Sequence, residues 1–340
     1  MSRHKIAFTL ALASCSLVAC SESATREDDG FSTGGETAGA ATGMDTSQNP
    51  ITGNTGGTNG GGTGGTAGAS TGMALDDGGM AGNGGSAGGP APSLPAASGT
   101  CPEFTNGLVA FTVGAKTYNV QISIDTAAAA SKDGPVVFYW HGTGSSPMEA
   151  GYGLGQAGVS SITAAGGIVA ATKYEGGNQF PWIQDAADYY PLVDQIVACA
   201  DEKIGIDASH IHSAGMSAGG LFTSALSFAR SNLLASVVVY SGGGMGQLAD
   251  PNNKFSAMVF HGGPSDNVFG QDFEGSSNQY TSQLRGAGHF VLLCDHGDGH
   301  TIPPGGPTAA VPFFLANAYG VPSPYATTLP STVPSYCTKE

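Results

Sequence analysis

The chain reads as an α/β domain, a mostly parallel sheet with helices on both faces, preceded by a long segment that cannot fold. Three observations lead there. From about residue 108 onward, strand-like runs alternate with helix-like segments. One run, Pro135-Val136-Val137-Phe138-Tyr139-Trp140, is apolar without interruption, as a parallel strand buried on both faces must be. The stretch Ser213-Ala214-Gly215-Met216-Ser217-Ala218-Gly219-Gly220 stands between a strand-like run at His210 to His212 and a helix-like run beginning at Leu221. Strands that alternate with helices need right-handed crossovers, which make the sheet parallel. Binding then belongs at the carboxyl ends of the strands.

Residues 1–20 have the form of a bacterial export signal. Arg3 and Lys5 give a positive start, and the apolar run Ile6 to Val18 is too short for a permanent bilayer span. Leu17-Val18-Ala19-Cys20 resembles the lipobox of bacterial lipoproteins, which implies that Cys20 becomes the lipidated first residue; an ordinary cleaved signal with an incidental cysteine is the alternative. Ser21 stands where the lipoprotein inner-membrane retention signal would have Asp, which implies the outer membrane in a Gram-negative cell. Residues 21–100 are Gly, Thr, Ser and Ala with scattered acids, too poor in large apolar side chains to pack. They are expected to be a disordered linker with an r.m.s. span on the order of 50 Å. Residues 101–340 form the expected folded domain.

The formal net charge is −15, and from Cys101 onward 18 acids face 8 Lys or Arg. Such a surface repels phosphate backbones, so nucleic acid is not expected as a partner. Membrane contact is expected only through Cys20. Cys101, Cys199, Cys294 and Cys337 remain in an exported domain, where disulfides persist. Three pairings are open; Cys101 with Cys337 would clip the domain ends together and leave Cys199 with Cys294.

In order, Leu108 to Val113 and Tyr118 to Ile124 alternate apolar and polar residues across Gly114-Ala115-Lys116, an antiparallel hairpin. The buried strand at 135–140 ends at His141-Gly142. A helix-like segment from Met148 to Ala165, a strand from Gly167 to Thr172 and an amphipathic helix from Asp185 to Glu202 follow. Beyond the Ser217 turn come strands at Ala235 to Tyr240 and Phe255 to Phe260, a helix from Ser277 to Leu284, a strand from His289 to Leu293 and a helix from Thr308 to Tyr319.

A serine in G-x-S-x-G between strand and helix is the pattern of a nucleophile elbow: glycines at 215 and 219 let the chain turn sharply and lift the hydroxyl clear of the sheet. A serine hydroxyl needs a base to take its proton, and the base needs a carboxylate to fix its tautomer. A serine that merely caps the helix is the plain alternative.

The order of elements, Ser217 in its turn and the His141-Gly142 turn resemble the α/β-hydrolase fold. The phrase Ser217-Ala218-Gly219-Gly220, the His261-Gly262 turn with a following Asp and the lack of a large cap domain are similar to the polyhydroxybutyrate-depolymerase-like and feruloyl-esterase-like secreted esterases. The resemblance runs from about Gly107 to Tyr319. It implies a serine hydrolase that cleaves carboxylic esters through an acyl-enzyme, without a cofactor, in an open cleft suited to a polyester or an esterified polysaccharide.

In this fold the triad follows the chain order Ser, acid, His. Asp266 is the expected acid, although the resembling esterases usually show His-Gly-x-x-Asp and one extra residue intervenes here; Asp272 is the alternative. His300 matches the resembling Gly-His-x-x-Pro phrase and is preferred to His296 as base. The two His and two Asp of residues 295–300 also admit a metal. A Gly-rich, non-helical segment does not put its i and i+4 histidines on one face, so none is expected. Backbone N–H groups of Ala218 and, by the resemblance, Thr143 are expected to form the oxyanion hole. Trp182 is a candidate pocket residue or a core tryptophan. His141 and His261 are expected to be packed histidines, and His210 and His212 carry no assigned role. A serine peptidase and a non-catalytic binding module on a hydrolase scaffold remain the rival functions. The sequence is silent on oligomeric state.

Overall fold

A computed structural model describes residues 91–178 and 180–340; the expected signal, most of the linker and Cys20 lie outside the described residues. The chain enters with extended residues that are already docked. Leu94 packs against the core, and the Ser98 amide and hydroxyl both donate to Gln195 Oε1, at 2.6 and 2.8 Å. The folded part therefore reaches back past the boundary expected at residue 100.

β1 (Gly107–Val113) and β2 (Lys116–Ile124) form the expected hairpin, turning at Gly114 with φ 59°. After the short α1 (Thr126–Ala129) comes β3 (Gly134–Trp140), all seven residues of it buried. The helix expected from Met148 to Ala165 is two helices, α2 (Ala150–Gly153) and α3 (Gln156–Ala164), behind a single 3-10 turn at Pro147–Glu149. Gly155, at φ 70°, breaks them apart, a conformation that only glycine enters without strain. β4 (Ile168–Thr172), α4 (Ala186–Ile204), β5 (Ile206–Met216), α5 (Ala218–Ala229), β6 (Ser236–Tyr240) and β7 (Ser256–His261) follow.

A small hairpin, β8 (Asn267–Val268) and β9 (Gln271–Asp272), was not legible in the sequence. It leads into α6 (Phe273–Gly286), which starts four residues before the expected Ser277 because Asp272 caps it. β10 (Val291–Asp295) and α7 (Gly306–Ala316) precede an unexpected last strand, β11 (Cys337–Lys339).

Nine strands make one sheet in the order β1-β2-β4-β3-β5-β6-β7-β10-β11. The six from β4 to β10 run parallel, and antiparallel pairs close both edges. Alternation along β3 sorts the two cores: Val136, Phe138 and Trp140 face α4, α5 and α6, while Val137 and Tyr139 face α2, α3 and α7. Each fully buried large apolar side chain contributes about 1.5–3 kcal/mol, so a sheet covered on both faces holds its strand ends firmly. Among the described residues, no helix is long and apolar enough to cross a membrane.

The disulfides differ from the end-to-end clip. Cys101 pairs with Cys199 and Cys294 with Cys337. The reason is topological: β11 lies beside β10 with Cys337 directly opposite Cys294, and the entering segment crosses α4 at Cys199.

Candidate active site

Ser217 occupies the junction of β5 and α5 with φ 57° and ψ −118°, a strained conformation for a residue with a Cβ. Its amide donates to the Tyr240 carbonyl of β6 at 2.9 Å, and its carbonyl accepts from Leu221 at 2.8 Å, which starts the helix. The glycines are required by contact. A Cβ at Gly215 would strike the Gly219 carbonyl, and one at Gly219 would strike the Trp140 carbonyl. Ser217 is the N-terminal flanking residue of α5, yet its side chain makes no capping hydrogen bond. The hydroxyl is directed elsewhere.

It is directed at His300, whose Nε2 lies 2.9 Å from Ser217 Oγ. The other ring nitrogen, Nδ1, lies 2.7 Å from Asp266 Oδ1. An ionised carboxylate only accepts, so Nδ1 carries the proton and Nε2 is left as acceptor for the Ser217 hydroxyl. Asp266 is buried, and its second oxygen accepts from Ser241 Oγ at 2.8 Å and from the Gly262 amide at 2.9 Å. Burial pushes the Asp266 carboxyl up, but the hydrogen bonds from His300, Gly262 and Ser241 together outweigh it and hold the group below its ordinary value. The extra residue before Asp266 is absorbed by a 3-10 turn at Gly263–Ser265, entered through Gly263 at φ 70° and closed by the Asp266 amide on the Gly263 carbonyl. Asp272 serves the helix instead, accepting from Gly275 N–H at 2.9 Å.

Thr143 and Ala218 line the same cleft as Ser217. Among the described residues neither of their amides meets a protein acceptor, so both are free for a ligand oxygen. The cleft, about 290 Å³, continues over Phe180, Ile183, Leu221, Val268 and Phe269. A second depression of about 680 Å³ opens on the far side of His300, between Ser145, Glu149, Tyr152 and the Pro303-Pro304 segment. Ser217 lines the first, which is mainly apolar, and His300 lines the second, whose walls mix polar and apolar groups. Among the described residues no helix stands between β6 and β7, and no cap covers the cleft.

Trp182 does not line this cleft. It is fully buried at φ 66°, donates Nε1–H to the His141 carbonyl at 2.9 Å and packs among Trp140, Tyr174, Tyr189 and Phe222. Its neighbours Phe180 and Ile183 face the cleft instead.

Ser217 Oγ is hydrogen-bonded to His300 and not to His296. The His296 imidazole is buried, Nδ1 accepts from the Asp298 amide at 3.2 Å, and burial lowers its pKa. Among the described residues no group of three or more His, Cys, Asp or Glu side chains is arranged to hold a metal ion. His141 is buried, with burial lowering its pKa and the Gly142 carbonyl partly opposing. His261 is buried beneath the Gly263 amide, and His212 is stacked on Phe314. Sequence reasoning missed Ser241. Its position one residue beyond the end of β6, at a carboxyl end of the sheet, was the available signal.

No protein-family model matches the chain, and no curated protein matches it. Among solved structures, native pOPH is similar at a TM-score of 0.54 and 17% identity, covering 71% of this chain and 96% of that one. Native sOPH is similar at 0.55 and 15%, with 71% and 96% covered. A pOPH variant in complex with DMSO is similar at 0.55 and 17%, with 71% and 95% covered. Likeness at such identities speaks for the fold, and with the strand order and the Ser217 turn it gives this chain the α/β-hydrolase fold.

Proposed function

We propose that this protein is a serine hydrolase of carboxylic esters that works through an acyl-enzyme. The observation that carries the reading is a single imidazole hydrogen-bonded on one side to Ser217 at 2.9 Å and on the other to buried Asp266 at 2.7 Å. Ser217 Oγ attacks the ester carbonyl carbon while His300 Nε2 takes the hydroxyl proton, and Asp266 steadies the resulting imidazolium. The carbonyl oxygen becomes an oxyanion that accepts from the Ala218 and Thr143 amides. Collapse of the intermediate breaks the bond to the alcohol oxygen, which leaves with the proton from His300. Water then repeats the sequence on the acyl-enzyme and releases the acid and free Ser217.

The apolar cleft beside Ala218 suits the acyl group, and the wider depression lined by His300, where polar and apolar groups mix, suits the alcohol. An uncapped cleft favours an extended substrate, a polyester or an esterified polysaccharide. Two disulfides suit an oxidising compartment, in keeping with export and a lipid tether at Cys20.

A fluorophosphonate probe separates hydrolase from binding module. Wild type is expected to label and Ser217→Ala to remain unlabelled; an unlabelled wild type ends the hydrolase reading. Turnover of hydroxyalkanoate oligomers, feruloylated sugars and short p-nitrophenyl esters then ranks substrates. Activity confined to the short esters would remove the extended substrate.

A further inference from the structure

The turn that presents Thr143 has little of its own to hold it. It runs through Gly142 and Gly144, the latter at φ 76°, and within the turn the Ser145 amide reaches the Gly142 carbonyl at 3.1 Å. Glycine turns of this kind sample many conformations unless tied from outside. The buried His141 ring holds the Gly142 carbonyl, its Nδ1 2.9 Å away, and the tie on the amide side is Glu149, the last residue of the 3-10 turn at Pro147–Glu149. Its Oε1 and Oε2 lie 3.1 and 3.3 Å from the Gly142 amide, and Oε1 also accepts from the Tyr139 hydroxyl at 3.1 Å. Tyr139 is fully buried in β3, so the carboxylate links the turn to a strand buried along its whole length.

Two consequences follow for the neighbouring atoms. The Gly142 amide is occupied, so the turn's next amide, Thr143, is the one left to face the cleft. The turn also leans on the nucleophile: a Cβ at Gly142 would lie 3.4 Å from Ser217 Cβ and 3.7 Å from Glu149 Oε2. A small movement of the turn therefore changes the distance between Thr143 N–H and any oxyanion formed on Ser217.

We infer that Glu149 is a positioning residue, which fixes the turn at residues 142–145 so that Thr143 N–H is aimed at the oxyanion. The inference rests on reading Ser217 as the nucleophile. What the role needs is an acceptor oxygen at the reach of a glutamate side chain; it does not need negative charge. Gln keeps that oxygen for Gly142 and can offer its amide to Tyr139, Asp keeps the charge but falls one methylene short, and Ala keeps neither.

The experiment is steady-state hydrolysis of a p-nitrophenyl ester by wild type, Glu149→Gln, Glu149→Asp, Glu149→Ala and Tyr139→Phe, with a melting curve for each. Misplacing one oxyanion donor is expected to lower kcat by about 10- to 100-fold in the Asp and Ala variants, with KM within about threefold. Gln is expected to restore kcat to within about threefold of wild type, and Tyr139→Phe to fall between. The same ranking is expected for affinity toward a boronic acid that mimics the tetrahedral intermediate. A Gln variant as impaired as Ala, an Asp variant as active as wild type, or a loss expressed in KM alone would overturn the inference. Should Ala not fold, the Gln and Asp pair decides. A wild type that neither hydrolyses esters nor labels with the fluorophosphonate would sink the hydrolase reading itself, a different failure.

Discussion

The ring of Phe273 lies 4.5 Å from the imidazole of His300, tilted by 35° to it. Phe273 is also the first residue of α6, and its amide donates to the Asp266 carbonyl at 3.0 Å. One residue thus covers a face of the base with its side chain and anchors the backbone of the acid. An imidazole confined on that face keeps its two nitrogens on Ser217 and Asp266. We expect Phe273→Ala to lower kcat about tenfold or more through misplacement of His300. Because Phe273 is buried, it should also cost up to about 3–5 kcal/mol of stability. Phe273→Leu, which restores most of the apolar cover, should recover stability more fully than kcat. Urea melts and assays well below each melting point separate the two effects.

Asp266 gives a pH dependence of definite sign. Its folded-state pKa lies below the ordinary carboxylate value, so its stabilisation is complete above the unfolded value, near 3.9. The stabilisation is lost as the pH falls through the lower, folded value. Wild type should therefore lose its advantage over Asp266→Asn on acidification from about pH 5 to below pH 3, as read by urea denaturation at each pH. At neutral pH, Asp266→Asn should lower kcat by about 10³- to 10⁴-fold, because an amide in its place no longer dictates the His300 tautomer. A gap between the two proteins that widened with acid would contradict this assignment.

The two disulfides should behave differently. Cys101–Cys199 spans a separation of 98 residues and Cys294–Cys337 one of 43, so in the chain-entropy account each stabilises by about 4–5 kcal/mol. Only the second is near the chemistry. It fixes β11 beside β10, whose end leads into His300, and Tyr336 next to it donates its hydroxyl to the Pro304 carbonyl at 2.6 Å. Replacing Cys294 and Cys337 by Ala should lower both the melting temperature and kcat, whereas replacing Cys101 and Cys199 should lower the melting temperature alone. Equal kcat losses in the two pairs would argue against a clamp on the His300 segment.

What the sequence made legible was whatever local chemistry forces. Gly215 and Gly219 are imposed by backbones that leave no space for a Cβ, so the Ser217 turn could be read directly. The uninterrupted apolar run of β3 and the alternation of β1 and β2 likewise state their burial in one dimension. Trp182 was ambiguous because a loop has no period: its burial depends on a φ of 66° and a hydrogen bond to the His141 carbonyl, 41 positions away. The cysteine pairing was equally closed, since spacing does not reveal which strands become neighbours. Ser241 contributes a hydrogen bond to a carboxylate and Glu149 accepts from a backbone amide and the Tyr139 hydroxyl, and such contacts leave no motif.

The hairpin β8–β9 points to substrate selection. Phe269 sits at its tip with φ 54°, is 73% exposed, and meets Phe180 from the facing loop at a ring separation of 5.4 Å. Both rings line the apolar cleft that holds Ser217. A large side chain kept exposed and in the left-handed region has no folding reason to be there, since that conformation costs about 1–2 kcal/mol relative to glycine. Phe269→Gly should therefore be more stable than Phe269→Ala by about 1 kcal/mol, as read by urea melts. Both variants should lose about tenfold in kcat/KM on esters whose acyl chain is long enough to reach the ring, and little on an acetate ester that is not. An equal loss on acetate and on the longer acyl chain would mean that Phe269 acts on the neighbouring Asp266 loop, because a contact made only with the distal acyl group cannot slow an ester that lacks it.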